Sequence, residues 1–201
     1  MQLWKTVSRK VVQRYGKFLT VESHEIELPD GRRLKNWPWL VAPDFVLVLA
    51  RTTTGKFLCF RQTKYAVKSI TLAPVGGHVE DGERPVVAAR RELLEETGYR
   101  ASKFVALGSF VANANRGGGS GHLFLALGAR RSCATTADDL EEQELLQLTR
   151  HQLETALDNG EFKTLAWTTG VAMALRYLDR KKRRQAQVQL SRSYAVRNRS
   201  W

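Results

Sequence analysis

Three carboxylates, Glu92, Glu95 and Glu96, fall between positions 92 and 96 of the chain. On a helix at about 100° per residue, with Glu92 at zero, Glu95 lies near −60° and Glu96 near +40°. All three share one arc. Val86, Val87, Leu93 and Leu94 fall on the other side, so the spacing predicts a helix that buries those four residues and turns the acids outward. A merely solvated face normally mixes signs at i,i+4, whereas the Glu92–Glu96 pair of like charges costs about 0.2–0.5 kcal/mol. Carboxylates near a helix C-terminus also oppose the macrodipole. A divalent cation explains why such costs are accepted. Hard oxygen donors without neighbouring nitrogen or sulfur ligands suit Mg²⁺ or Mn²⁺ rather than zinc.

The elements around this cluster follow from pattern and punctuation. Pro85 suits the first turn of a helix from Glu83 to Thr97, and Gly98 suits the position just past its end. Before it, VSRKVVQRYG, FLTVESHEIEL and RRLKNWPWLV read as strands, with Asp30-Gly31 as a turn and Pro38 marking an edge or bend. DFVLVLA and KFLCFRQ form a central hairpin across Thr54-Gly55. FVALGSF and HLFLALGA are two further strands. Between them RGGGSG (Arg116 to Gly121) lacks the Gly-Lys-Ser/Thr ending of a P-loop and reads as a mobile loop near the substrate. An acidic stretch, DDLEEQE, precedes the strand ELLQLT, and two helical patterns, RHQLETALDNG and FKTLAWTTGVAMALRYL, follow. Trp37 offers a face on which a base could stack. The four histidines show no metal-ligand spacing.

The chain has 201 residues and 22.7 kDa, 43% hydrophobic and 26% charged, which fits one ordinary globular domain with a small appendage. Its net charge of +12 is concentrated: from Arg180 to Trp201 there are eight Lys or Arg and no acid, leaving +4 for everything before. The basicity therefore says little about what the folded body binds. No stretch is long and apolar enough to cross a membrane as a helix. The basic N-terminus has no apolar run behind it, and two cysteines, Cys59 and Cys133, make no disulfide framework. The expectation is a cytoplasmic protein.

Gly77, Glu83, Arg91-Glu92-Leu93, Glu95-Glu96 and Gly98-Tyr99 match the Nudix box, Gly-x5-Glu-x7-Arg-Glu-U-x-Glu-Glu-x-Gly-U, at every position. The chain thus resembles the Nudix hydrolase superfamily. That resemblance implies an α+β fold, an α/β/α sandwich around a mixed sheet, and hydrolysis of a nucleoside diphosphate linked to another moiety. It implies Glu92 and Glu96 as main Mg²⁺ ligands, with Mn²⁺ able to substitute, and Glu95 as a further ligand or an aid to water activation. The carbonyl of Gly77 would add a backbone ligand, and Arg91 would pair with the box carboxylates.

The strand-rich N-terminus makes the chain most similar to the ADP-ribose pyrophosphatase branch, which handles nucleotide sugars as a homodimer. Residues 1–43 would be a dimerisation and substrate subdomain, 44–179 the Nudix domain, and 180–201 a flexible basic tail that meets nucleic acid only nonspecifically. The branch's phosphate-contacting motif appears as Arg61-Gln62-Thr63-Lys64, with Lys64 in place of arginine. Two features depart from the branch: Leu72-Ala73-Pro74-Val75-Gly76 leads into the box without its glutamate, and Ala114-Asn115-Arg116 stands where its proline would lie. With these departures, Arg61, Lys64, Arg116 and Trp37 are the expected substrate contacts. The water-activating residue of the branch lies on a downstream acidic loop, which makes Glu141 the first choice and Glu142 the second. Action on a dinucleotide or RNA 5′ end, and nucleotide sensing without catalysis, are the alternatives.

Overall fold

A computed structural model describes residues 1–135 and 142–197, with side chains through Gln189. The N-terminal strands β1 (Lys5–Tyr15), β2 (Leu19–Glu27) and β3 (Arg33–Val41) form an antiparallel ribbon. His24 is buried within it, 2.8 Å from a Glu22 carboxylate oxygen and stacked on Trp39. Every residue of β1 is exposed.

The sheet proper is mixed. Its centre is β4 (Phe45–Thr52), antiparallel to β5 (Phe57–Lys64) and to β7 (Val75–His78) and parallel to β10 (Gly117–Arg131). The expected hairpin turn closes with the Gly55 N–H donating to the Thr52 carbonyl at 3.0 Å. β6 (Val67–Ala73) and β11 (Gln143–Leu148) flank β5, while β8 (Tyr99–Arg100) and β9 (Lys103–Asn113) pair with β10. Alternation along β4 decides the layers, because successive side chains leave opposite faces of a strand. Val46, Val48 and Ala50 join a core under α1 (Pro85–Thr97). Leu49 joins a second core under α2 (Arg150–Asp158) and α3 (Leu165–Arg197). The result is the expected α/β/α sandwich.

Three local expectations change. The glycine-rich segment is not a loose loop but the first part of β10. A Cβ at Gly117 would stand 2.7 Å from the Leu40 carbonyl oxygen, and one at Gly119 would stand 2.6 Å from that of Pro43, so glycine is needed for close approach. In α1, Val87 is 39% exposed, and Glu92 lies among the buried residues with Ala88, Ala89 and Leu93. Counting hydrophobicity places the inner face wrongly here, because small alanines let the helix settle against the sheet on their own side. Lastly, α3 runs on past residue 180, where the apolar pattern stops. Arg, Lys, Gln and Ala are strong helix formers, so the helix outlasts its packing. Residues 180–189 are all exposed.

α2 begins at a capping box: the Gln152 N–H donates to the Thr149 hydroxyl, and the Thr149 N–H donates to the Gln152 side chain. An Arg150–Asp179 ion pair of 2.6 Å ties it to α3. Packing of α3 onto the body thus ends near Asp179. Deleting residues 180–201 should shift the thermal midpoint by no more than about 3 °C, the equivalent of under ~1 kcal/mol for a chain of this size. Differential scanning calorimetry checks this, and a larger fall would mean that the extension supports the fold.

Candidate active site

The acidic cluster is built where α1 crosses β7. Pro85 opens the helix, and Gly98 closes it in the left-handed conformation, its N–H donating to the Leu94 carbonyl at 2.7 Å. Ala88, Ala89 and Leu93 are fully buried against the sheet. One turn on from Ala88, Glu92 is carried inward and is 9% exposed. Its carboxyl group lies directly on Gly77. A Cβ there would stand 2.2 Å from Glu92 Cδ and Oε1, so the box glycine is the space into which this carboxylate fits.

Arg91 organises the acids. Its Nε and Nη2 donate to the two oxygens of Glu83 at 3.1 and 2.9 Å. Its Nη1 donates to Glu92 Oε1 at 2.7 Å and to Glu95 Oε2 at 3.2 Å, and Nη2 also reaches the His78 carbonyl at 3.0 Å. The Glu83 carboxylate holds the Arg91 guanidinium well above its ordinary pKa, with Glu92 adding to the effect. In return Arg91 lowers the pKa of Glu83. Glu92 shifts the other way: burial raises its pKa, against the opposing pull of Arg91. A buried carboxylate of this kind gains from further positive charge.

Glu96 Oε2 accepts from the Gly76 N–H at 3.3 Å, on the strand that also carries Gly77. Among the described residues no three acidic, His or Cys side chains surround one point. Glu92 and Glu95 are instead drawn to Arg91. The donor set of Glu92, Glu95, Glu96 and the Gly77 carbonyl is oxygen only, and Gly77 leaves the approach to Glu92 clear of a side chain. By chemistry these residues fit a hard divalent cation.

A second network braces the box from the other side, and sequence reasoning missed it. The Asp44 carbonyl accepts from the Val79 N–H at 2.8 Å, and its carboxylate takes the Ser120 N–H at 2.8 Å and His122 Nε2 at 3.2 Å. His122 Nδ1 lies 2.8 Å from Ser109 Oγ, its cross-strand partner. No spacing in the sequence links Asp44 to His122, because only the parallel β4–β10 pairing brings them together. Glu83 was legible as a box letter, but its role as the main partner of Arg91 was not.

The expected substrate contacts lie in two places. Arg61, 3.7 Å from Glu144, and Glu142 line one cavity of about 410 Å³ between β5, β6 and β11. The described lining of that cavity does not include Glu92, Glu95 or Glu96. Lys64 ends β5, in register with Val67. Trp37 and Arg116 lie elsewhere, where β3 approaches β10: the indole N–H of Trp37 donates to the Asn115 carbonyl at 2.8 Å, and the Arg116 carbonyl accepts from the Leu40 N–H at 2.8 Å. Trp37 also packs edge-on to Trp4. Glu141 lies outside the described residues.

The family model for the NUDIX domain matches residues 42–183. The chain belongs to the NUDIX family. It is similar to the ADP-ribose pyrophosphatase of Bacillus subtilis (strain 168), with 31% identity over 183 residues, 91% of this chain and 96% of that one. It is also similar to the methanol dehydrogenase activator of Bacillus methanolicus, 29% identical over 163 residues, 81% of this chain and 86% of that one. A crystal structure of an ADP compounds hydrolase shares the fold with a TM-score of 0.77 at 18% identity, covering 90% of this chain and 97% of the other. The protein is accordingly an enzyme, a Nudix pyrophosphohydrolase resembling ADP-ribose pyrophosphatase, from a family that generally uses a divalent metal.

In this Nudix site the contact between Gly77 and Glu92 is open to test. Gly77→Ala would force the Glu92 carboxylate aside while leaving the core untouched. Turnover should fall by about 100-fold, a loss that a 1 Å misplacement can bring, with circular dichroism unchanged. Activity near wild type would mean that Glu92 is free to move.

Proposed function

We propose that this enzyme hydrolyses the pyrophosphate bond of ADP-ribose or a related nucleotide sugar in a Mg²⁺-dependent reaction, giving a nucleoside monophosphate and a sugar phosphate. The observation that carries the substrate is the likeness to an ADP-ribose pyrophosphatase across 96% of its length. Glu92 and Glu96, with Glu95 and the Gly77 carbonyl, would hold the cation, and Mn²⁺ would serve in its place. Bound there, the cation would neutralise the pyrophosphate oxygens and favour attack by water. Arg91 holds Glu92 and Glu95 in place throughout. Arg61 and Lys64 would take the phosphates, Lys64 as a point charge rather than a fork. Trp37 and Arg116 would face the nucleoside.

Attack by water forms one P–O bond and breaks the bridging one, and the water's proton leaves to a carboxylate. Glu142, in the cavity with Arg61, is the described candidate for that base. The reaction suits the cytoplasm: no helix among the described residues is long and apolar enough to cross a membrane, and Cys59 and Cys133 are free thiols.

The decisive assay incubates the protein with ADP-ribose, other nucleotide sugars, dinucleotides, dNTPs and 5′-triphosphate RNA, with and without Mg²⁺, and separates the products. RNA is included because residues 180–184 are five consecutive exposed cations. ADP-ribose should give AMP and ribose 5-phosphate only with the metal. Glu96→Gln should lower that turnover by more than about 100-fold, beyond the 10–100-fold typical of groups that merely support a ligand. It relieves like-charge repulsion, so stability should hold or rise. Turnover within a few fold of wild type would remove Glu96 from the metal.

The same reading includes a homodimer. Val7, Val12, Tyr15 and Phe18 are exposed on the N-terminal ribbon, and Trp4 is half exposed beside them. Apolar area of this kind on a sheet edge favours association. Light scattering at micromolar concentration should give twice the chain mass, and a fully active monomer would overturn the assembly.

A further inference from the structure

On the outer side of α1, away from the Glu92 carboxylate, two concavities meet at Arg100 and Ala101, which line both. One, of about 450 Å³, is walled by Val87, Leu94 and Phe104. The other, of about 570 Å³, is lined by Arg130 and Arg131. Each is of the size that small-molecule sites have. One end of the groove is thus apolar and the other cationic.

The arginines are placed at a cost. Arg100 and Arg130 are direct cross-strand partners in the β8–β10 ladder, and like charges opposite one another destabilise a sheet. Arg131 follows at once, paired with Tyr99. Arg90, Arg100, Arg130 and Arg131 are all exposed, and among the described residues none of the four has a carboxylate partner. Arg91 is different: it also borders the apolar end, but its guanidinium is committed to Glu83, Glu92 and Glu95. An anion between Arg100 and Arg130 would turn repulsion into attraction on both sides. Arginine forks suit phosphate oxygens in pairs. At the apolar end the Arg90 guanidinium lies 4.8 Å over the Phe104 ring, leaving a flat cationic surface on which a planar base can stack.

We propose that this groove is a second nucleotide-binding site, distinct from the carboxylate cluster, that takes the phosphate chain of a nucleoside polyphosphate on Arg100, Arg130 and Arg131 and its base against Arg90, Val87 and Leu94. The two ends select for a ligand that is apolar and planar at one side and multiply anionic at the other. Inorganic polyphosphate satisfies only the second requirement. The site does not depend on the identity of the hydrolysed substrate.

Isothermal titration of the full-length chain with ATP, inorganic tripolyphosphate and adenosine tests the site. EDTA is present, so that no cation draws phosphates to the carboxylates. ATP should bind at least about fivefold more tightly than tripolyphosphate, and adenosine only weakly. The double variant Arg100→Ser/Arg130→Ser removes the cross-strand repulsion and should fold at least as well. It should weaken ATP more than about tenfold while turnover of the preferred substrate without ATP stays within about twofold. Arg131→Ser gives the same readout if the double variant does not express. Polyanion binding by residues 180–184 is present in both proteins and does not contribute to the difference. No ATP binding at about 1 mM, unchanged ATP affinity in the variants, or equal affinity for ATP and tripolyphosphate would each overturn the assignment.

Discussion

One guanidinium holds the working part of this enzyme together. Arg91 reaches Glu83 with two nitrogens, Glu92 and Glu95 with the third, and the His78 carbonyl besides. It thereby joins the end of β7, the loop before α1 and the helix itself. Without it the acids would repel one another, and Glu92 would be a buried charge without a partner, among the costlier things a fold can contain. With it, the acids stand in a fixed arrangement before any cation or substrate arrives. Preorganisation of this kind is most of what pyrophosphate cleavage asks of a protein.

Arg91 can act in this way only because α1 is seated closely on the sheet. Ala88 and Ala89 leave no side-chain bulk between helix and strands, and Leu93 fills the space beside them. Glu92 is thereby pressed onto Gly77, where any other residue would push it off. Asp44 secures the opposite side, taking the Val79 N–H with its carbonyl and the start of β10 with its carboxylate. The box therefore lies between two braces, one ionic and one through strand pairing. Raised backbone entropy at glycine is the cost of both.

The N-terminal ribbon joins this body more sparingly. β3 and β10 share one registered pair, Leu40 with Gly117, helped by the Trp37 contact to Asn115. The glycines of β10 allow that close approach, which is why a segment with loop-like composition forms a strand. Its outer strand, β1, is exposed along its whole length.

The sequence alone determined the chemistry and its local frame. Box spacing depends on helix periodicity, which is a local property, so the positions of Glu92, Glu95, Glu96 and Arg91 on one helix followed from counting. Proline and glycine marked the ends of that helix for the same reason, and the apolar runs marked β4 and β5. Other features were out of reach. Which side of α1 faces inward depended on how close two alanines let it approach, not on summed hydrophobicity, so Val87 and Glu92 exchanged places. The end of α3 was obscured because helix propensity outlasts packing. The Asp44–His122 link, the Arg100–Arg130 pair and the Arg61–Glu144 pair all depend on strand register between segments far apart in the chain. Register is a property of the assembled sheet, so only the tertiary structure could decide it.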